Sequence, residues 1–150
     1  MALAYQNVLV AVDGSKEAEW AFKKAVQIAK RNGAKLNLVH VIDTRSFAAI
    51  DAYDMSMAEK AENYAEELLN GYKSDAMNHG VTDVETIIET GSPQVVIPKK
   101  CAKDIDADLI ICGATGLNAV ERLLIGSVSE QITRSACCDV LVVRTQEDCD

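Results

Sequence analysis

The stretch Asn7-Val-Leu-Val-Ala-Val-Asp-Gly-Ser15 opens the pattern that decides the fold. Its first six residues form a short run rich in β-branched side chains, without alternation of polar and apolar residues, which is typical of a strand buried on both faces. Asp13-Gly14 predicts the end of that strand. Ser15 is a suitable N-cap for a helix, and apolar residues then recur at helical spacing until Gly33, which predicts its end.

The same alternation of strand and helix continues to the end of the chain. Further strands are predicted at Leu36–Ile42, Val84–Thr90, Asp108–Gly113 and Asp139–Arg144. Further helices are predicted at Ala58–His79, at Ser92–Ile105 with Ser92 as its cap, and at Ser127–Ser135. The segment Asp43–Met57 has no clean period and is expected to be a loop, partly helical, and Gly113–Gly126 is a long connection.

Five buried strands separated by helices predict an α/β fold with a doubly wound, five-stranded parallel sheet covered on both faces. No linker, repeat or low-complexity segment divides the chain, so we expect a single domain over residues 1–150. The polar tail Thr145–Asp150 is expected to fray. Pro98 conflicts with its predicted helix, because proline removes a hydrogen bond and crowds the preceding turn, so a kink or a tight turn is expected around Ile97.

Composition narrows the classes of partner. Of the 150 residues, 49% are hydrophobic and 25% are charged, and a chain of this length can bury about 70% of its unfolded surface. No apolar run approaches the roughly 18 residues of a membrane-spanning helix, and no targeting segment is evident. The net charge of −8 disfavours nucleic acid and anionic membranes as partners. A single phosphorylated ligand is not excluded, since backbone N–H groups bind phosphate without net positive charge.

The cysteines and histidines indicate a reducing compartment and no zinc site. The five cysteines are an odd number without a CxxC pair, so reduced thiols in the cytoplasm are expected. They are Cys101, Cys112, Cys137, Cys138 and Cys149. The only histidines are His40 and His79, and His40 is expected to be a hydrogen-bonded core or cover residue rather than a base.

The strongest candidate site follows the fourth strand. Ligands of open parallel sheets bind beyond the carboxyl ends of the strands, where the strand order reverses. There the chain has Gly113-x-x-Gly116, then nine residues, then Gly126-Ser127, with Ser129 two positions further on. Glycines bring backbone close to a ligand, and a helix start offers free N–H groups, so the pattern is typical of a phosphate cradle. The spacing alone equally fits a glycine turn followed by an ordinary serine-capped helix.

Two further side chains have alternative interpretations. Asp13 could accept from a ribose hydroxyl or help to place a metal ion, but it could also cap the helix that starts at Ser15. Arg122 could reach a phosphate, or it could be solvated in its loop. No P-loop lysine, no GxGxxG after the first strand and no Ser-His-Asp set is present, so the sequence indicates a binding site and predicts no catalytic residue.

In these residues the chain resembles the universal stress protein family over essentially its whole length. The gapless Gly113-x2-Gly116-x9-Gly126-Ser127 is similar to that family's ATP-binding pattern, and the Val-Asp-Gly-Ser of residues 12–15 and the Asp-Ala-Asp-Leu-Ile-Ile-Cys-Gly of residues 106–113 agree with it. The resemblance implies strand order 3-2-1-4-5, as in adenine-nucleotide α-hydrolase-like folds, and a nucleotide in the cleft between strands one and four.

The resemblance also implies roles for individual residues. Asp13 and Gly113 would meet the ribose, and backbone near Ala11 and Val41 would flank the adenine. The phosphates would lie on the glycines and on the first turn of the last helix, with Mg²⁺. The candidate ATP-binding residues are Ala11, Val12, Asp13, Ser15, Val41, Gly113, Thr115, Gly116, Arg122, Gly126, Ser127, Val128 and Ser129.

The expected partner is a second copy of the chain. Family members pair through the last strand, and Val140–Arg144 is an apolar strand that the implied order places at a sheet edge, where a partner would cover it. The implied function is that of an ATP-binding regulatory protein of the stress response. The alternatives are a slow ATP hydrolase, or a binder of another nucleotide or a flavin on the same fold. Asp43–Met57, after the second strand, could act as a lid.

Overall fold

A computed structural model describes residues 4–43, 55–114 and 126–144 of the chain. Within these ranges, five strands form one parallel sheet in the order β3-β2-β1-β4-β5, as the resemblance implied. The strands are β1 (Asn7–Ala11), β2 (Lys35–Asp43), β3 (Val84–Gly91), β4 (Leu109–Gly113) and β5 (Asp139–Val143). The predicted fold class and strand order are therefore confirmed.

Helical segments cover both faces of this sheet. They are α1 (Lys16–Asn32), α2 (Met55–Asn78), α3 (Pro93–Val96), a π-helical turn (Ile97–Cys101), α4 (Ala102–Asp104) and α5 (Ser127–Ser135). The first face packs on α1 and α2, and the second packs on α5 and the broken helix that runs from α3 to α4.

The central strands are the most deeply buried part of the sheet. Alternate residues of β1 and β2 point to opposite faces, so each strand contributes to both apolar layers. Val8, Val10, Leu36 and Leu38 lie in the layer under α1 and α2, and Leu9 and Val39 lie in the layer under α5. Burial on both faces explains why these strands have no period-two polarity.

Pro98 interrupts its helix at the predicted place, but the turn is wide rather than tight. Ile97–Cys101 is π-helical, and the N–H of Ala102 donates to the carbonyl of Ile97, five residues earlier. Proline has no N–H to continue the α-helical ladder and its ring crowds the preceding turn, so inserting an extra residue into the turn relieves both conflicts.

The two predicted serine caps have different outcomes. Ser15 caps α1, with its Oγ accepting from the N–H of Ala18 at 3.1 Å. Ser92 occupies the predicted N-cap position of α3, but its side chain makes no capping bond. Its Oγ is instead turned inward and buried, with no hydrogen-bond partner.

None of the helices in residues 4–43, 55–114 and 126–144 has the length and apolar character needed to span a membrane. The helix predicted from Ala58 begins at Met55, inside the predicted loop, and the rest of that loop, residues 44–54, lies outside the described ranges. The predicted fraying of Thr145–Asp150 also concerns residues outside them.

Candidate functional site

The candidate site lies where β1 and β4 end side by side. In their register Val10 is level with Ile111, so continuing both strands by two residues brings Val12 level with Gly113. The chain leaves β1 for α1 on the first face and leaves β4 for α5 on the second. The strand order therefore reverses at this point, which is where open parallel sheets bind their ligands.

The turn between β1 and α1 is built around Asp13. Its Oδ1 accepts from the backbone N–H of Ser15 at 2.9 Å, and Gly14 between them has a φ of +84°, which favours glycine. Asp13 was expected either to contact a ligand or to cap the helix that starts at Ser15; it bonds Ser15, while Ser15 itself caps α1. The bond uses one carboxylate oxygen, and a carboxylate can accept several further hydrogen bonds, so Asp13 keeps the capacity to accept from a ribose hydroxyl.

Two side chains beside this turn were not predicted as site residues. Tyr64 of α2 is 52% exposed, and its hydroxyl lies so close to Gly14 that a Cβ on that glycine would be 2.7 Å from Oη. The His40 ring faces the Tyr64 ring edge-on at 6.0 Å between centroids, and its Nδ1 lies 2.8 Å from the carbonyl oxygen of Val12. His40 is therefore a hydrogen-bonded cover residue, as predicted. The helical spacing of Tyr64 carries no signal of its place at this edge.

On the other side of the site, one backbone bond and the Ser129 side chain attach the start of α5 to the end of β4. The N–H of Gly126 donates to the carbonyl of Ala114 at 2.7 Å. The buried Ser129 hydroxyl donates to the carbonyl of Gly113 and lies 3.3 Å from that of Ala114. Because a hydroxyl has one proton to donate, a phosphate contact from Ser129 falls to its backbone N–H in this arrangement.

The first turn of α5 presents backbone donors rather than a capped end. Its N-cap is Gly126, which has no side chain to accept from the helix, and the N–H of Glu130 makes the first helical bond, to the Gly126 carbonyl. The earlier N–H groups, of Ser127, Val128 and Ser129, have no partner within the helix. Together with the helix dipole they favour an anion at this point.

Gly113 has a packing role that the spacing did not reveal. A Cβ built on it would lie 2.8 Å from the Glu17 Cβ and 2.9 Å from the Glu17 carbonyl carbon. The backbone of α1 therefore approaches β4 so closely that only glycine fits, whatever contact Gly113 makes with a ligand.

Two of the remaining candidate residues are described: Ala11 ends β1, and Val41 lies in β2. The other three, Thr115, Gly116 and Arg122, lie outside the described residues. The strand ends bring Ala11, Val12, Asp13 and Ser15 to the same edge as Gly113 and Gly126–Ser129. Val41 reaches this edge from the neighbouring strand β2.

Thiol chemistry is disfavoured at the site. Burial is the main cause that raises the pKa of Cys112, which precedes Gly113, to about 11. Burial also raises the pKa of Cys101 to about 11. Both thiols are therefore protonated near neutral pH and are poor nucleophiles. Among the described residues, no three His, Cys, Asp or Glu side chains form a cluster that could hold a metal ion.

Sequence and structure comparisons both relate this chain to known proteins of one family. The model of the universal stress protein family matches residues 4–144. A Staphylococcus aureus (strain USA300) protein named for that family is 61% identical over 145 residues, which is 97% of this chain and 87% of the relative.

Two solved structures have the same fold. The protein MJ0577 is 29% identical with a TM-score of 0.85, covering 95% of this chain and 98% of that one. A universal stress protein in complex with cAMP is also 29% identical, with a TM-score of 0.74 and coverage of 93% and 97%. The likeness to that nucleotide complex extends over nearly the whole of both chains.

Proposed function

Since the chain belongs to the universal stress protein family, we propose that it binds an adenine nucleotide, ATP with Mg²⁺, as a regulatory protein of the stress response. The observation that carries the proposal is the uncapped start of α5, whose Gly126 is bonded to the end of β4 beside the Asp13 turn. Backbone donors for phosphates and a carboxylate for the ribose thus lie at one edge of the sheet.

Groups that could hold each part of such a ligand are present at this edge of the sheet. The phosphates would bind the N–H groups of Ser127, Val128 and Ser129, with Thr115, Gly116 and Arg122 as further candidates from the connection. Mg²⁺ is usually held by substrate phosphates with one or two carboxylates, so the lack of a three-residue metal cluster in the described ranges is compatible with it. Asp13 is the carboxylate of the turn that could serve there. The metal would neutralise phosphate charge on a chain of net charge −8.

Calorimetry with Mg-ATP tests the proposal. We expect one nucleotide per chain, and at least tenfold weaker binding after Gly126→Val or Gly116→Val, because a β-branched side chain would occupy the space of the phosphates. Gly71→Ala is the matched control, since a Cβ at that helical position meets nothing within 4 Å. Wild-type protein that binds no adenine nucleotide, or variants that bind as tightly as wild type, would refute the site.

Parallel titrations with ATP, AMP and cAMP identify the preferred nucleotide, since a universal stress protein of the same fold is in complex with cAMP. A phosphate-release assay separates a binding protein from an ATP hydrolase. General-base catalysis of hydrolysis needs a group placed to activate water, and the sequence predicts no catalytic residue. We therefore expect no sustained turnover. Sustained release that Gly126→Val abolishes would instead favour the hydrolase. A yellow protein with a flavin released on denaturation would favour a flavin binder.

We also propose a homodimer through the Val140–Arg144 strand. In the sheet order β5 is an edge, and its residues Val140, Leu141 and Val142 are apolar and only half-buried. The opposite edge strand, β3, carries Glu85 and Glu89, which pair with Lys35 and Lys100 at 2.9 Å each. Charges on an edge strand discourage pairing with another chain, and β5 has none between Val140 and Val143.

A proline in β5 tests the dimer. The Val143 carbonyl accepts from Ala114 on the β4 side, so by alternation the N–H of Val142 points away from β4. Val142→Pro removes that outward donor and is expected to give a monomer in light scattering at micromolar concentration, while Val142→Thr stays a dimer. A monomeric wild type would contradict the proposal.

The compartment that we propose is the cytoplasm. The four described cysteines, Cys101, Cys112, Cys137 and Cys138, are free thiols. Free thiols persist where the glutathione and thioredoxin systems keep cysteines reduced.

A further inference from the structure

At the candidate site, the hydrogen-bond ladder between β1 and β2 ends with a contact from a side chain. The N–H of Lys35 donates to Gln6, and the carbonyl of Val39 accepts from the N–H of Val12, both at 2.9 Å. Odd-numbered residues of β2 therefore direct their backbone groups towards β1, because alternate residues of a strand face opposite neighbours. By the same alternation the N–H of Val41 also points towards β1.

In a regular parallel ladder, the next bond would run from the N–H of Val41 to the carbonyl of Val12. Among the described residues that bond is not made, and β1 accordingly ends at Ala11, one residue earlier than the sequence predicts. The Val12 carbonyl instead lies 2.8 Å from Nδ1 of His40. A side chain of β2 has thus taken the acceptor that the backbone of β2 would otherwise use.

This contact fixes which ring nitrogen of His40 carries a proton. A carbonyl oxygen can only accept, so Nδ1 must donate, and in the neutral ring Nε2 is then an acceptor without a proton. The ring is half-buried, with Tyr64 against it edge-on at 6.0 Å. His40 is therefore held in one tautomer by its bond to Val12.

We propose that His40 is a positioning residue for the nucleotide, which it affects through Val12 and Val41. By drawing the Val12 carbonyl out of the ladder, His40 leaves the Val41 N–H open to an acceptor nitrogen on the edge of a purine base. The same bond fixes the residue that precedes Asp13, and so sets where the turn presents its carboxylate. The role of His40 towards the nucleotide rests on the proposed function, whereas its effect on the bonds between β1 and β2 does not.

The ladder is tested without nucleotide, on the ¹⁵N-labelled full chain by NMR. The ring nitrogen shifts of His40 are expected to report the Nδ1–H tautomer. Hydrogen exchange at the Val41 amide is expected to be at least tenfold faster than at the Val39 amide, which remains within the ladder. A tautomer with the proton on Nε2, or equal protection of the two amides, overturns the proposal.

Two substitutions separate hydrogen bonding from packing. His40→Asn keeps an N–H at the position of Nδ1 but loses volume, whereas His40→Leu keeps apolar volume but loses the donor. In His40→Leu the Val12 carbonyl recovers the Val41 N–H, so exchange at Val41 slows about tenfold and adenine-nucleotide affinity falls about tenfold. His40→Asn is expected to stay within about threefold of wild type in both.

Each outcome has a distinct meaning. His40→Leu that binds ATP as tightly as wild type, or His40→Asn that binds as weakly as His40→Leu, overturns the positioning role. Wild-type protein that binds no adenine nucleotide overturns the proposed function and the link to the base, while the exchange and tautomer measurements still decide the ladder. If His40→Leu fails to fold, the measurements on wild type and His40→Asn decide.

Discussion

A Cβ placed on Gly113 would lie 2.8 Å from the Cβ of Glu17, closer than such carbons approach in folded proteins. Gly113 ends β4 and Glu17 lies in the first turn of α1, so the absence of a side chain allows the helix to pack against the strand end. This one contact fixes the distance between the two elements that flank the candidate site.

Gly113→Ala is expected to destabilise the protein by about 1–3 kcal/mol, because the added methyl group must displace backbone of α1 rather than a flexible side chain. Urea denaturation of wild type and variant measures the change in the free energy of unfolding. Gly71→Ala is the control and is expected to raise that free energy by about 0.5–1 kcal/mol, since it replaces a helical glycine in open space. Equal stability of Gly113→Ala and wild type would show that α1 does not need this close approach.

Ser15 and Ser92, at the starts of two helices, are expected to contribute differently to the free energy of unfolding. Ser15→Ala removes the acceptor of the Ala18 N–H and should cost about 1 kcal/mol. Ser92→Ala removes a buried hydroxyl that makes no capping bond, and is expected to change the stability by less than about 0.5 kcal/mol. Thermal or urea denaturation of the pair provides the test, and a larger loss for Ser92→Ala would contradict the capping assignment.

The buried thiols are expected to be unreactive in the native protein. At pH 8, a thiol reagent followed by peptide mapping should label the exposed Cys137 quickly, and Cys101 and Cys112 only after denaturation. Rapid labelling of Cys112 in the native state would mean that the end of β4 opens readily.

The same thiols predict a dependence of stability on pH. The pKa of Cys112 and of Cys101 in the fold is about 11, above the value of an unfolded thiol near ~8.5. Their contribution to stability is therefore complete below about pH 8.5 and is lost as the pH rises towards 11. Replacing both with alanine should flatten this alkaline decline, as measured by urea midpoints between these pH values.

A hydrogen bond connects the two ends of the described chain. The hydroxyl of Tyr5 donates to Oδ2 of Asp139 at 2.7 Å, and this bond, the largest cause, raises the pKa of Tyr5. The protonated tyrosine is the stabilising form, so its contribution is present below the unfolded pKa of about 10 and is lost at higher pH. Tyr5→Phe is expected to cost less than about 1 kcal/mol, because the bond is exposed. An unchanged alkaline denaturation profile in Tyr5→Phe would count against this bond.

The sequence predicts most of the fold because its signals are local. β-branched runs mark the strands, and Ser15 caps the helix that follows it, since a cap depends on residues three positions apart. Pro98 predicts that its helix is interrupted, but it does not predict the π-helical turn found there. Proline removes an α-helical bond without specifying which turn replaces it. Ser92 has the residue type of a cap, yet its hydroxyl turns inward.

The details of the site depend on contacts that no local pattern encodes. The packing of Gly113 on Glu17 and the bond from Ser129 to Gly113 join residues far apart in sequence. His40 was predicted to be hydrogen-bonded, but its partner follows only from the register of β1 and β2. The spacing of the glycines thus predicts a candidate site, and the structure adds that Gly113 also has a packing role.

Titration of the ¹⁵N-labelled chain with Mg-ATP tests the central claim most directly. Saturable amide shifts are expected at one nucleotide per chain, and they should cluster at residues 11–15, 41–43, 113–116 and 126–129. The absence of saturable shifts would contradict a nucleotide site at the carboxyl ends of β1 and β4. So would shifts confined to the amino ends of these strands, around Gln6 and Asp108.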